Sequence, residues 1–106
     1  MRPIEFRILL SLATGERHGY AIMQDIQARP EGDAVETGTL YRALQRLLEQ
    51  DLVRPADPRR KSGEDDERRR YYAITPAGRR AAADEARRMA ALVDGARAAR
   101  LIPRGT

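Results

Sequence analysis

Leucines at positions 40, 44, 47 and 48 fall on one side of a helix in TGTLYRALQRLLEQDLV, the stretch from residue 37 to residue 53. With about 100° between successive residues, such a stripe must be buried against something. Its burial turns a particular set of side chains outward. Arg42 lies nearly opposite the centre of the stripe, flanked by Gln45 and Arg46. Any fold of this chain has to build a core under the leucines and leave that polar face in view.

The neighbouring segments supply the core. Ile4, Ile8, Leu9 and Leu12 have helical spacing over residues 3 to 14, with Pro3 suited to a first helical position and Gly15 to the stop. After the turn TGERHG, Tyr20, Ile22, Met23 and Ile26 mark a shorter helix. RPEGD ends it, because Pro30 disfavours helix at Arg29 and cannot continue one. Beyond the leucine stripe the period changes. LVRP reads as a short strand and RRRYYAIT as another, with Tyr72 and Ile74 on one face and the charged hairpin loop ADPRRKSGEDDE between them. Thr75-Pro76 then starts a helix, a capping hydroxyl followed by proline at the first position, and Ala-rich sequence carries it to about Leu101. Within it Ala82, Ala86, Met89, Val93 and Ala96 are spaced four, three, four and three apart, a seam to which Leu92 adds bulk. PRGT should fray. No internal repeat or linker interrupts the chain, so residues 1–75 are expected to form one unit and residues 76–106 an appended helix and tail.

The element order is helix, helix, helix, strand, loop, strand, helix. That is an α+β, mostly α, winged helix-turn-helix plan of three helices and a two-stranded wing, followed by a C-terminal helix whose seam must lie against the winged unit, a partner subunit or both; a dimerisation helix is the expectation. In this plan the third helix enters the major groove of DNA and a basic wing flanks the backbone. Length agrees, since 106 residues suit one modest core. The formal charge of +4 rests on 20 basic residues, all arginine except Lys61. Arginine's planar fork suits phosphates and guanine edges, but a coding bias towards Arg and Ala would give the same composition, so charge alone decides little. Cysteine is absent, which excludes disulfides and thiolate metal sites. No apolar run approaches the ~18 residues of a membrane span, and the N-terminus lacks a signal-peptide cleavage pattern. A cytoplasmic protein without a membrane partner is expected. Catalysis, cofactors and metals are not expected: GxSxG, a phosphate loop, paired histidines and a cysteine nucleophile are all missing. The lone histidine, His18, reads as a turn or capping residue.

Three blocks, ILLSLATGERHGYAIMQDI, GTLYRALQRLLEQDLV and DERRRYYAITPAGR, in that order, resemble the PadR-like family of transcriptional regulators over roughly residues 4 to 90. The resemblance implies a homodimeric repressor whose C-terminal helix makes the dimer, in the smaller branch with a single short helix there. Two departures stand out. Glu36-Thr37 replaces the serine that relatives often carry before the GTLY segment, leaving Thr37 as the substitute cap. Asp51 occupies a position where relatives often have glycine, and aspartate is among the few residues that tolerate a left-handed cap.

On this plan Gly38, Thr39, Arg42, Gln45 and Arg46 form the recognition face. The arginines could each fork onto guanine and Gln45 could pair with adenine. Tyr41 packs at the core margin with its hydroxyl towards a phosphate, the combined role that the resemblance favours, and Tyr20 is a second phosphate donor competing with core packing. Lys61, Arg68, Arg69 and Arg70, with Arg59 and Arg60, are the basic wing contacts. The acidic tip at Glu64, Asp65, Asp66 and Glu67 would repel phosphate, so the whole loop cannot lie flat on DNA. Ala82, Ala86, Met89, Leu92, Val93 and Ala96 are the expected dimer interface. The expected partners are double-stranded DNA, in an inverted-repeat operator, and a second copy. A protein- or RNA-interaction module without operator specificity is the alternative, because the fold does not fix the ligand. A small-molecule effector is left open: relatives that bind flat aromatic compounds use a tryptophan at the dimer interface, and this chain has none.

Overall fold

Pro3 starts the first helix, α1 (Pro3–Ala13), at a position where a missing N–H costs nothing. The Arg2 amide, unpaired by the helix, donates to Glu5 Oε1 at 3.2 Å, one half of a capping box. The computed structural model describes residues 1–30, 34–56 and 70–103. After α1 come β1 (Arg17–His18), α2 (Gly19–Ala28), α3 (Thr37–Glu49), β2 (Val53–Pro55), β3 (Tyr71–Ile74) and α4 (Pro76–Ala98). All the elements expected from the sequence are present, together with one strand, β1, that periodicity does not announce.

That strand changes the wing. The sheet is three-stranded and antiparallel in the order β1-β3-β2, with Arg17 opposite Tyr72, His18 opposite Tyr71 and Val53 opposite Ile74. Two residues are too few to show alternation, so only their pairing partner reveals them. His18 ends β1 and caps α2, its Nδ1 accepting from the Ala21 amide at 3.1 Å while its ring meets Tyr71 edge-on. The capping role expected of the histidine is the one observed.

Ile8, Leu9 and Leu12 of α1, Ile22 and Ile26 of α2, Leu40, Ala43, Leu44 and Leu47 of α3, and Val53 and Tyr72 form one core. Leu48 packs at its edge. Tyr72 and Ile74 face this core as expected, but Tyr71 and Ala73 are covered too, in a second small cluster with Ala56. A strand buried on both faces has no polar alternation to read.

Helix α3 ends with Asp51 at φ 59°, in the left-handed region. The Leu52 amide reaches Leu47 O and the Asp51 amide reaches Leu48 O, which together make a Schellman motif. The expected left-handed cap is therefore present. At the other end the expectation fails. Glu36 occupies the cap without a side-chain bond, and Thr37 is already helical. Its hydroxyl instead faces Met23 Sδ at 3.9 Å.

Thr75 caps α4 as expected, accepting from the Gly78 amide at 2.9 Å, and it donates to the Asp51 carbonyl at 2.7 Å. A Cβ at Gly78 would stand 2.1 Å from the Leu52 carbonyl oxygen, so α4 can begin against this turn only with glycine there. Arg79 Nη2 donates to Ala13 O at 3.3 Å, and Ala82 packs on the core. Past Met89 the helix leaves its support. Its 23 residues span about 34 Å, more than the molecule's two short dimensions of 25 and 23 Å. Leu92 and Val93, 64% and 39% exposed, lie on the far half.

Candidate nucleic-acid interface

Burial of Leu40, Ala43, Leu44 and Leu47 turns the other side of α3 to solvent, and Arg42 and Gln45 are exposed there. Arg42 Nη2 donates to Thr39 Oγ1 at 3.4 Å. Its Nη1 would lie 3.1 Å from a Cβ at Gly38. The guanidinium thus folds back over the start of the helix, above Gly38 and Thr39.

Arg46 does not share this freedom. Its Nε donates to Glu5 Oε2 at 2.7 Å, and the side chains of Arg46 and Glu5 retain 29% and 8% of their surface. The expectation that Arg46 points away from the core beside Arg42 needs correction: it leans onto α1. Its position on the helix lies between the outward face and the α1 side, and a long side chain there can reach a carboxylate at the helix junction. Burial alone would raise the Glu5 pKa. The Arg46 hydrogen bond, the Arg2 amide and the two arginine charges together outweigh it and hold the carboxyl below its usual range.

Tyr41 is half exposed, yet its ring is held. A Cβ at Gly19 would lie 2.2 Å from the Tyr41 hydroxyl oxygen and 2.8 Å from its ring carbon Cε1, so the tyrosine rests on the first turn of α2. Tyr20, next to it in sequence, is 55% exposed and is not a core residue. Burial pushes the Tyr72 phenol up, nearby Tyr41 adds to this, and Arg70 opposes it. Tyr72 thus feels both the Tyr41 phenol and the Arg70 charge. Arg70 itself is exposed at the base of β3. Lys61, Arg68 and Arg69, with Arg59, Arg60 and the acidic tip, lie outside the described residues.

Two residues here carry weight that the sequence pattern does not assign. Glu5 reads as an ordinary first-turn acid and Gly19 as a turn residue. Only Glu5 has a local signal, its place three residues after the cap.

The C-terminal seam divides between two surroundings. Ala82 faces the chain's own core, and Met89 lines an apolar groove with Pro3, Phe6 and Leu10 of α1. Ala86, Leu92 and Val93 are exposed and Ala96 is half-buried. Among the described residues no cluster of His, Cys, Asp and Glu could hold a metal ion, and no helix is long and apolar enough to cross a membrane.

Helices α1 to α3 with the small antiparallel sheet place the chain in the winged helix-turn-helix class. More narrowly, it belongs to the PadR-like family of transcriptional regulators, whose model matches residues 8–84. Its fold is similar to that of a Streptococcus transcriptional regulator, with a TM-score of 0.75 and 21% identity, covering 92% of this chain and 91% of that one. A PadR family transcription regulator from hypervirulent Clostridium difficile R20291 matches at a TM-score of 0.72 and 23% identity, over 89% and 94% of the two chains. Bacillus subtilis PadR, solved in complex with operator DNA, matches at 0.60 and 21% identity over 78% of this chain and 46% of that one. In sequence, the chain is 41% identical over 85 residues to an uncharacterized 37.1 kDa protein in transposon TN4556 of Streptomyces fradiae. That match covers 80% of this chain but 22% of the larger protein.

Proposed function

We propose that this chain is a cytoplasmic, sequence-specific regulator that binds double-stranded DNA as a homodimer, represses transcription and recognises an inverted repeat. The observation that carries this reading is α3: one side is sealed into the core while Arg42 and Gln45 stand exposed on the other. A helix anchored in this way presents its polar side chains at fixed angles, as reading base edges demands. Arg42 is assigned to guanine and Gln45 to adenine, with Gly38 and Thr39 allowing close approach. Tyr20, Tyr41 and Arg70, with Lys61, Arg68 and Arg69, are assigned to the phosphate backbone. The exposed Ala86, Leu92 and Val93, with Met89 and Ala96 at their margin, support the dimer.

Selection of bound genomic fragments should return one motif with two-fold symmetry and half-sites about one helical turn apart, or a multiple. On that site Arg42→Ala should cost about 1–3 kcal/mol, and much less on random duplex. If folded Arg42→Ala and Gln45→Ala proteins both keep the wild-type sequence preference, α3 is not the reader. The double variant Leu92→Asp, Val93→Asp should sediment as a monomer. A wild-type chain that is monomeric at micromolar concentration would remove the inverted repeat from the proposal. Duplex binding that does not weaken with salt would favour a protein- or RNA-interaction module instead.

A further inference from the structure

We infer that Glu5 is a specificity-determining positioning residue, which holds Arg46 on α1 and so keeps that charge from the DNA phosphates. The inference rests on the reading of α3 as the DNA-facing helix. Glu5 is 6% exposed. Both of its carboxylate oxygens are occupied, Oε1 by the Arg2 amide at 3.2 Å and Oε2 by Arg46 Nε at 2.7 Å. These partners come from the start of α1 and from the last turn of α3, so the carboxylate joins two elements that the leucine core also joins.

An arginine free on the DNA-facing side of α3 would neutralise a phosphate whatever the base sequence. Each such contact strengthens random and specific binding alike and releases a counterion. It therefore adds affinity without discrimination. Arg46 is prevented from acting this way because leaving Glu5 would strand a buried anion with a single amide partner. Seen from the DNA, the Glu5–Arg46 pair is close to neutral. Among the described residues Arg42 has no such partner: its bond to the Thr39 hydroxyl, at 3.4 Å, is weak and lies on its own helix. Of two arginines one turn apart, one is held and one is available. The held one lets Arg42 and Gln45 dominate the choice of sequence.

The test is a double-mutant cycle on salt dependence. Wild type, Glu5→Gln, Arg46→Gln and the double variant are titrated with random and operator duplexes by fluorescence polarisation over a range of salt, well below each melting midpoint. Glu5→Gln keeps the shape and one acceptor oxygen but removes the negative charge. It should steepen the random-DNA salt slope by about one unit per protomer and lower the operator-to-random ratio roughly three- to tenfold. Arg46→Gln alone should leave the random-DNA slope within about half a unit of wild type. The double variant should return to that value. A merely structural role for the pair would change melting temperature without this pattern in the slopes. Either single variant is decisive where the other fails to fold. A slope unchanged by Glu5→Gln, or one unit shallower in Arg46→Gln, overturns the inference. Additive effects with wild-type binding intact overturn it alone, whereas a wild-type chain with no salt-dependent duplex binding overturns the proposed function as well.

Discussion

In α3 the leucines at 40, 44 and 47 are sealed from solvent, whereas Leu92 in α4 keeps 64% of its surface exposed; yet the two helices end in the same way. Asp51 after α3 has φ 59° and Arg100 after α4 has φ 62°. In each, the next amide reaches back to the third carbonyl from the helix end, Leu52 to Leu47 and Leu101 to Ala96. Local chemistry therefore stops both helices alike. What separates them is cover. Helix α3 has an apolar side that its own chain fills, so its remaining surface is polar and aimed. Helix α4 is fastened over its first half, by Ala82 and Met89, and beyond it Leu92 and Val93 stand exposed among charged residues.

The largest test of this contrast is truncation on each side of it. Leu44→Ala should cost about 2–5 kcal/mol in chemical denaturation, whatever the protein concentration. Leu92→Ala should change the stability of the isolated chain by less than about 0.5 kcal/mol. A larger loss that grows with protein concentration would measure a partner's contact and sharpen the comparison. Equal losses at all concentrations would break it.

Within α4 the two halves can be compared through glycine. Gly78→Ala drives a methyl group into the Leu52 carbonyl and should cost about 1–3 kcal/mol or more. Gly95, by contrast, has nothing within 4 Å of where a Cβ would be. Gly95→Ala should raise the unfolding free energy by about 0.5–1 kcal/mol through helix propensity. If it destabilises the protein instead, the far half of α4 is held closely by a second copy at that point.

The ion pairs give the smaller effects. Glu5 titrates below its ordinary value of 4.5 in the folded chain. Its pairing therefore contributes stability above the unfolded value, and that stability is lost as pH falls through the folded one. The stability difference between wild type and Glu5→Gln should be constant from pH 7 to about pH 5 and close below about pH 4. A gap that widens on acidification would show that Arg46 does not hold the carboxylate. Smallest of all are the pairs along α4, Asp84 with Arg87 and Asp94 with Arg97, one turn apart on its exposed surface. Asp84→Asn should leave the melting midpoint unchanged within error, because exposed pairs contribute little.

Legibility followed the range of the interaction. The leucine stripe, the Thr75-Pro76 start, the histidine cap and the left-handed Asp51 were readable because each is decided within a turn or two of chain. The Thr37 cap was misread because a serine-like residue beside the helix start looks the same whether it stands just outside or just inside it. Of the assigned site, Arg42 and Gln45 lie where the stripe puts them, but Arg46, one position further round, does not.

The 3.6-residue period and the side-chain chemistry at helix ends are written in neighbouring residues, so the sequence by itself determined three helices, two of the strands, the long C-terminal helix and which side of α3 is buried. Tertiary structure alone decided what joins distant positions. It placed Glu5 against Arg46, forty-one residues away, Gly19 under Tyr41, Gly78 against the Leu52 carbonyl, and Arg17–His18 along β3. None of these pairings leaves a local mark, although Glu5 stands at a capping position of its own helix. They acquire their roles only when packing of the leucines brings those segments together.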